Sequence, residues 1–175
     1  MFFFWVWLGT HTFYTQAEAV QLLFPSHDRV QPIWQSWDEV PATVRQHIRD
    51  EPAIKDARLV GEFQCLQVFR GTESLGWAIL TEEWGKHEAM TLMVAITPNL
   101  QVQGTLLMVF RENRGNGVKH PKFLKQFEGK TSADPIEVDI DLVHVSGSTI
   151  SSRAMALGVR KSLFLIHYLT HVDAP

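Results

Sequence analysis

The residues best suited to chemistry lie in one stretch, His144-Val145-Ser146-Gly147-Ser148-Thr149-Ile150-Ser151-Ser152-Arg153. A glycine set among hydroxyl residues, leading into a helix, is a phosphate-binding arrangement. The first backbone N–H groups of a helix have no partner of their own, and its positive end favours an anion. Gly147 allows a ligand to approach the backbone closely. On local physics alone, N-capping of the following helix by Thr149 or Ser151 accounts for these residues more simply. Other chemistry finds less support. The chain has eight histidines, and His167 and His171 are four apart near the end of a helical pattern, but no H-E-x-x-H spacing occurs and no metal site is expected. The serines and Thr149 lack a G-x-S-x-G elbow and a base at a recognisable spacing, so no catalytic residue is assigned. The single cysteine, Cys65, falls on a strand pattern and reads as inert core.

The elements that must position this stretch can be read from periodicity. Thr15-Gln16-Ala17-Glu18 has the form of a capping box, opening a helix through Val20, Leu22, Leu23 and Phe24 that Pro25 stops. Residues 25–37, with Pro25, Pro32, Trp34 and Trp37, read as a loop, followed by a short helix over 41–49. From residue 58 the period becomes two, with Phe63, Cys65, Gln67 and Phe69 on one face and Glu62, Gln64, Leu66 and Val68 on the other. Gly71–Ser74 turns the chain into a strand over 75–81, and strands over 90–97 and 102–110 form a hairpin around Pro98-Asn99-Leu100. Residues 111–120 read as a loop, 121–127 as a short helix and 139–146 as a last strand. A long helix over 151–169 presents the stripe Met155, Val159, Leu163 and Ile166, with Arg153, Arg160 and Lys161 on its polar side. The expected fold class is α+β: an antiparallel sheet flanked by helices, with a long C-terminal helix following the Ser146–Thr149 loop.

Composition sets the frame for this reading. The 175 residues are 45% hydrophobic, with 16 basic and 19 acidic residues and a net charge of -3, which fits one folded domain and argues against disorder. The same balance argues against a nucleic-acid partner, which draws on a basic excess. Phe2–Leu8 is an unbroken apolar run, too short to span a bilayer by itself. Three readings fit it: the apolar core of a signal peptide, part of a membrane anchor, or an arm packed on the core. Cleavage after Ala19 would remove the cap of the first helix, so residues 1–14 are read as an export or anchor segment and 15–175 as the domain.

Taken in order along the chain, these stretches resemble the FMN-binding domain family, which includes the C subunit of sodium-translocating NADH:quinone reductase and the G subunit of the related ferredoxin-linked complex. The resemblance rests on Ser146-Gly147-Ser148-Thr149 followed by Ser151-Ser152-Arg153-Ala154, and on Tyr14–Ala19 with Leu23-Phe24-Pro25. Gly76–Ile79, Met93–Ile96 and Val102–Gly104 add to it, as do the Glu112, Gly115, Gly117 loop and Phe123–Lys130. It implies FMN as cofactor, joined as a phosphoester to Thr149 by a flavin transferase. Ser146, Gly147, Ser148 and Ser151 would surround the attachment, with Glu112, Gly115 and Gly117 in a loop beside the ring. Two positions depart from the family pattern. The acidic residue usual six positions before the threonine is Val143 here, with Asp141 and Asp139 two and four residues earlier, and the usual alanine is Ser148. The missing acid bears on recognition by the transferase more than on flavin binding.

The resemblance also implies an electron-transfer flavoprotein on the extracytoplasmic (periplasmic) side of a bacterial cytoplasmic membrane, working with a membrane redox complex or redox partner protein. One alternative is a structural subunit that has lost its flavin, which Val143 would favour. Another is an enzyme that reduces a diffusible substrate with bound FMN. The basic stretch Arg111, Arg114, Lys119, Lys122, Lys125 and Lys130 suits an acidic partner or lipid headgroups, and equally a solvated face.

Overall fold

The computed structural model describes residues 10–171; the apolar run Phe2–Leu8 lies outside the described residues. Six strands form one antiparallel sheet: β1 (His11–Thr12), β2 (Arg29–Trp34), β3 (Phe63–Arg70), β4 (Glu73–Trp84), β5 (Ala89–Ile96) and β6 (Val102–Phe110), in the order β1-β6-β5-β4-β3-β2. The helices are α1 (Gln16–Leu23), α2 (Ala42–Asp50), α3 (Pro121–Leu124) and α4 (Thr149–His171). The fold is α+β, as expected, with a long C-terminal helix.

Alternation along the central strands puts apolar side chains on both faces, so the sheet is covered on both sides. On one face, Ala19, Val20 and Phe24 from α1 and the residue after it pack on Leu66, Val68, Ala78, Leu80, Met93 and Met108. On the other, α2, α3 and α4 cover Phe63, Cys65, Ile79, Leu92, Val94 and Phe110. The Trp37 ring stacks on Phe63 at 3.8 Å between centroids. Cys65 is fully buried, and burial pushes its thiol well above the ordinary range, so it is not a thiolate at neutral pH. The capping box of α1 is complete: the Thr15 N–H donates to Glu18 Oε2 at 2.8 Å, and the Glu18 N–H donates to Thr15 Oγ1 at 3.3 Å.

Three expectations fail. The segment read as a loop over 25–37 contains β2, an edge strand on β3; Pro32, which has no N–H to donate, sits at a register shift where the edge tolerates it. The strand expected over 139–146 does not form. Instead Asp141 folds residues 136–142 into a compact loop, accepting from the Ile136 N–H (3.1 Å), the Glu137 N–H (2.7 Å) and Lys130 Nζ (2.6 Å). Ile136 and Asp139 take positive φ angles of 46° and 72°, which no strand allows. Third, Lys161 is not on the polar side of α4. It is 1% exposed, its ammonium ion-paired with Glu83 of β4 and donating to the carbonyls of Arg58 (3.1 Å) and Glu82 (3.4 Å). Burial pushes the Glu83 carboxyl up, and the Lys161 charge opposes that shift.

Removing one member of this pair strands the other in the core. Lys161→Met is expected to lower unfolding free energy by about 3–5 kcal/mol, and Lys161→Met with Glu83→Leu to recover much of the loss, read by denaturant unfolding. The Asp141 loop gives a pH prediction. Although partial burial works against it, the hydrogen bonds from Lys130, Glu137 and Ile136 hold this carboxyl below the usual range. A depressed carboxyl stabilises the fold above its unfolded value of about 3.9, and that contribution is lost as pH falls from there through the folded value. Asp141→Asn should remove this part of the acid dependence, measured as the difference between wild-type and variant stability at pH 6 and pH 3.

Candidate functional site

The start of α4 is built by one turn and one serine. Val145–Ser148 is closed by the Ser148 N–H donating to the Val145 carbonyl at 2.9 Å, with Gly147 in the third position at φ 74°. That conformation needs glycine in a type II turn. The Ser152 N–H then donates to the Ser148 carbonyl at 2.8 Å, making Ser148 the boundary residue and Thr149 the first of the helix. Buried Ser152 ties the two parts together: its hydroxyl donates to the Ser148 carbonyl (2.9 Å) and accepts from the Val145 N–H (3.2 Å).

This geometry does not bear out the capping reading of the motif. Neither the Thr149 nor the Ser151 hydroxyl caps the helix, and among the described hydrogen bonds none uses the N–H of Thr149, Ile150 or Ser151. Three donors therefore stand free at the positive end of a 23-residue helix, beside a half-buried threonine with no structural hydrogen bond.

The loop after β6 presses on this segment. A Cβ at Gly115, whose φ is 99°, would stand 2.6 Å from Ser151 Oγ, and one at Gly117 would stand 2.9 Å from Val145 Cγ1 and 3.3 Å from Ser148 Oγ. These glycines are required by close approach of backbone to the motif, beyond any turn they make. Ser148, Ser151, Gly115 and Gly117 are thus brought into contact; Ser146 and Gly147 lie in the turn, and Thr149 follows it as the first residue of α4. Glu112 serves another contact. It accepts from the N–H groups of His87 (2.7 Å) and Glu88 (3.2 Å), fastening the loop to the β4–β5 turn. Its neighbour Arg111 reaches back to Glu82 (3.2 Å) and the Ala89 carbonyl (3.0 Å).

Two cavities border the segment. One of about 430 Å³ lies along the outer side of α4, lined by Ile150, Arg153 and Leu157 with Trp84 and Val138; Trp84 and Ile150 are each about half exposed. The other, of about 570 Å³, is lined by Gly117 and Val145 with Phe13, Tyr14, Lys119 and Leu124. Sequence reading passed over Trp84 and Ile150. Their signal was weak, an aromatic at a strand end and an apolar residue on the outer side of a helix. The acids near the motif have separate tasks. Val143 is 75% exposed, and Asp141 is committed to its loop. Asp139 is held 3.5 Å from Arg153 and 3.0 Å from His144 Nδ1, which makes it an acid tied to α4 one turn from its start.

The residues present suit an FMN phosphoester: an unengaged hydroxyl, free N–H donors for the phosphate oxygens, and cavities with apolar and aromatic walls on either side. Among the described residues no helix is long and apolar enough to cross a membrane, and no group of three or more metal-ligating side chains occurs. Comparison with curated proteins gives no match. Residues 85–163, from the β4–β5 turn through the motif and into α4, match the FMN-binding domain. Over that stretch the chain is similar to the FMN-binding domain, which supports FMN as cofactor and a general flavin-binding, electron-transfer role.

Proposed function

We infer that FMN is phosphoester-linked to Thr149 and that the protein relays electrons within a membrane-associated redox system. The observation that carries this reading is the Thr149 hydroxyl, idle in the fold, beside three unpaired N–H groups at the start of α4. Joining that oxygen to the flavin phosphate leaves a charged phosphodiester group, which these donors and the helix end stabilise. A bound flavin supplies reversible electron uptake; the chain supplies orientation and electrostatics. Gly147 keeps the turn clear for the phosphate. Gly115 and Gly117 keep the neighbouring loop close, and Arg153 places a cation one turn along the helix.

A relay is favoured over an enzyme acting alone because no carboxylate or imidazole is hydrogen-bonded to Thr149, Ser146 or Ser151 among the described residues. Maturation requires a flavin transferase. The apolar run Phe2–Leu8 supports membrane association, and the resemblance supports an extracytoplasmic location with a redox complex or partner protein. Val143 at the usual acidic position favours a second reading, a structural subunit without flavin. Asp139 answers it by offering an acid against Arg153, one turn into α4.

Intact mass of the purified chain, produced together with a flavin transferase, tests the reading. The expected result is a gain equal to FMN less one water, absent from Thr149→Ala. Absence of the gain with no yellow colour would leave the structural subunit, and colour released on denaturation without a gain would mean non-covalent FMN. If Asp139 stands in for the missing acid, Asp139→Asn should lower the flavinylated fraction severalfold in the same measurement.

A further inference from the structure

The β1 edge of the sheet carries two open clefts that share Phe13 and Tyr14. The first, of about 570 Å³, continues to Leu124 and Val145; the second, of about 620 Å³, runs along α1 past Ala17 to Leu22, which is 57% exposed. The rim is basic. Lys119 Nζ lies 4.5 Å over the Phe13 ring, and Lys122 and Lys125 follow on the next turns, all three exposed. None of these lysines has an ion-pair partner among the described residues. Glu18, the acid beside the second cleft, is engaged by Thr15 in the capping box.

In the sequence this surface follows directly on the apolar run Phe2–Leu8. Leu8 is five positions before Phe13, no more than about 18 Å of chain. The pairing of His11 with Phe110 and of Thr12 with Val109 fixes that connection to the same sheet edge. Exposed apolar clefts on a folded domain mark a contact surface. Aromatic side chains and free lysines share this surface, and seven consecutive apolar residues precede it in the sequence. That is the chemistry of a bilayer interface, with rings at headgroup depth, cations on anionic headgroups and apolar residues for the hydrocarbon. A protein partner would account for the clefts and the lysines but gives no reason for the uninterrupted apolar run that precedes them in the sequence.

We propose that the β1 edge, with α1 and α3, lies on the surface of an anionic phospholipid bilayer. The inference builds on the membrane association proposed above and is independent of whether Thr149 carries a flavin. It has a consequence for that site: Val145 and Gly117 line the first cleft, and Gly117 also packs on Ser148, so the attachment segment is held at the membrane surface.

The test uses the full chain with Thr149→Ala, which removes flavin from the outcome. An environment-sensitive fluorophore is placed at Leu22→Cys or, as control, at Val60→Cys, which is exposed beside β3 on the far side of the sheet; Cys65 is buried and does not compete for label. Vesicles of phosphatidylcholine, with and without phosphatidylglycerol, are the probe. The Leu22 label should shift to the blue with the anionic vesicles while the Val60 label does not. Lys119→Glu with Lys122→Glu and Lys125→Glu should weaken binding by at least about tenfold, since a lysine at an anionic surface contributes roughly fivefold. Circular dichroism checks that this variant is folded. Absence of vesicle binding, a silent Leu22 label on bound protein, equal shifts at both positions, or unchanged affinity in the folded lysine variant would each overturn the proposal.

Discussion

The position of α4 along the sheet is the constraint on which the site depends, and a buried ion pair sets it. Lys161 must reach Glu83, and both lie in the core, so sliding the helix by one residue would strand two charges. Gly158 enforces the same register. A Cβ there would stand 2.8 Å from Glu83 Cγ and 2.9 Å from Leu92 Cδ1, so the helix backbone fits closely over β4 and β5 only at this point. Twelve residues upstream, at about 1.5 Å per residue, this lock fixes where Thr149 and its unpaired N–H groups stand relative to the sheet.

The other parts of the site are fastened to the same frame. Arg111 and Glu112 tie the loop after β6 to the β4–β5 hairpin, and Gly115 and Gly117 then lie against Ser151, Ser148 and Val145. Asp141 holds the chain before the motif in a folded loop, and Ser152 clamps the turn to the helix. Among the described hydrogen bonds the Ser152 hydroxyl is engaged, whereas the hydroxyls of Ser146, Ser148, Thr149 and Ser151 and the first amides of α4 are not. Asp141 and Ser152 hold the segment in place, and the hydroxyls and amides they leave unengaged are available to a ligand.

Much of this was legible in the sequence because it is local. The capping box at Thr15, the alternation through Phe63–Phe69, the hairpin around Pro98 and the stripe on α4 are short-range patterns, and each formed. The features that were not legible depend on distant partners. Lys161 looks solvent-facing in a helical wheel dominated by Met155 and Val159. The signal lay in the row Ala154, Gly158, Leu165, in which it is the one charge. Residues 139–146 carry a strand-like alternation, but Asp141 finds three donors nearby and the chain bends around it. Gly115 and Gly117 were legible as turn residues and as part of the family pattern, whereas the reason only glycine serves there is the later segment lying against them. Glu112 was placed beside the ring from the pattern, yet its two backbone contacts explain an acid at that position without any ligand.

The shape of the site bears on why a covalent link suits it. Both cavities beside the motif are open clefts on the surface, with Trp84, Ile150, Phe13 and Tyr14 partly exposed in their walls. Open clefts bury little of a ligand, and burial is what sustains affinity in cofactor sites of ordinary kind. A phosphoester at Thr149 removes that requirement, since retention no longer depends on enclosure. The ring can then remain accessible along an edge, which is what transfer of electrons to a docked partner needs. The same openness would be a defect in an enzyme that must exclude water around a bound substrate. The accessible clefts and the idle threonine are both compatible with the proposed carrier, whose cofactor would be held at one end by a bond.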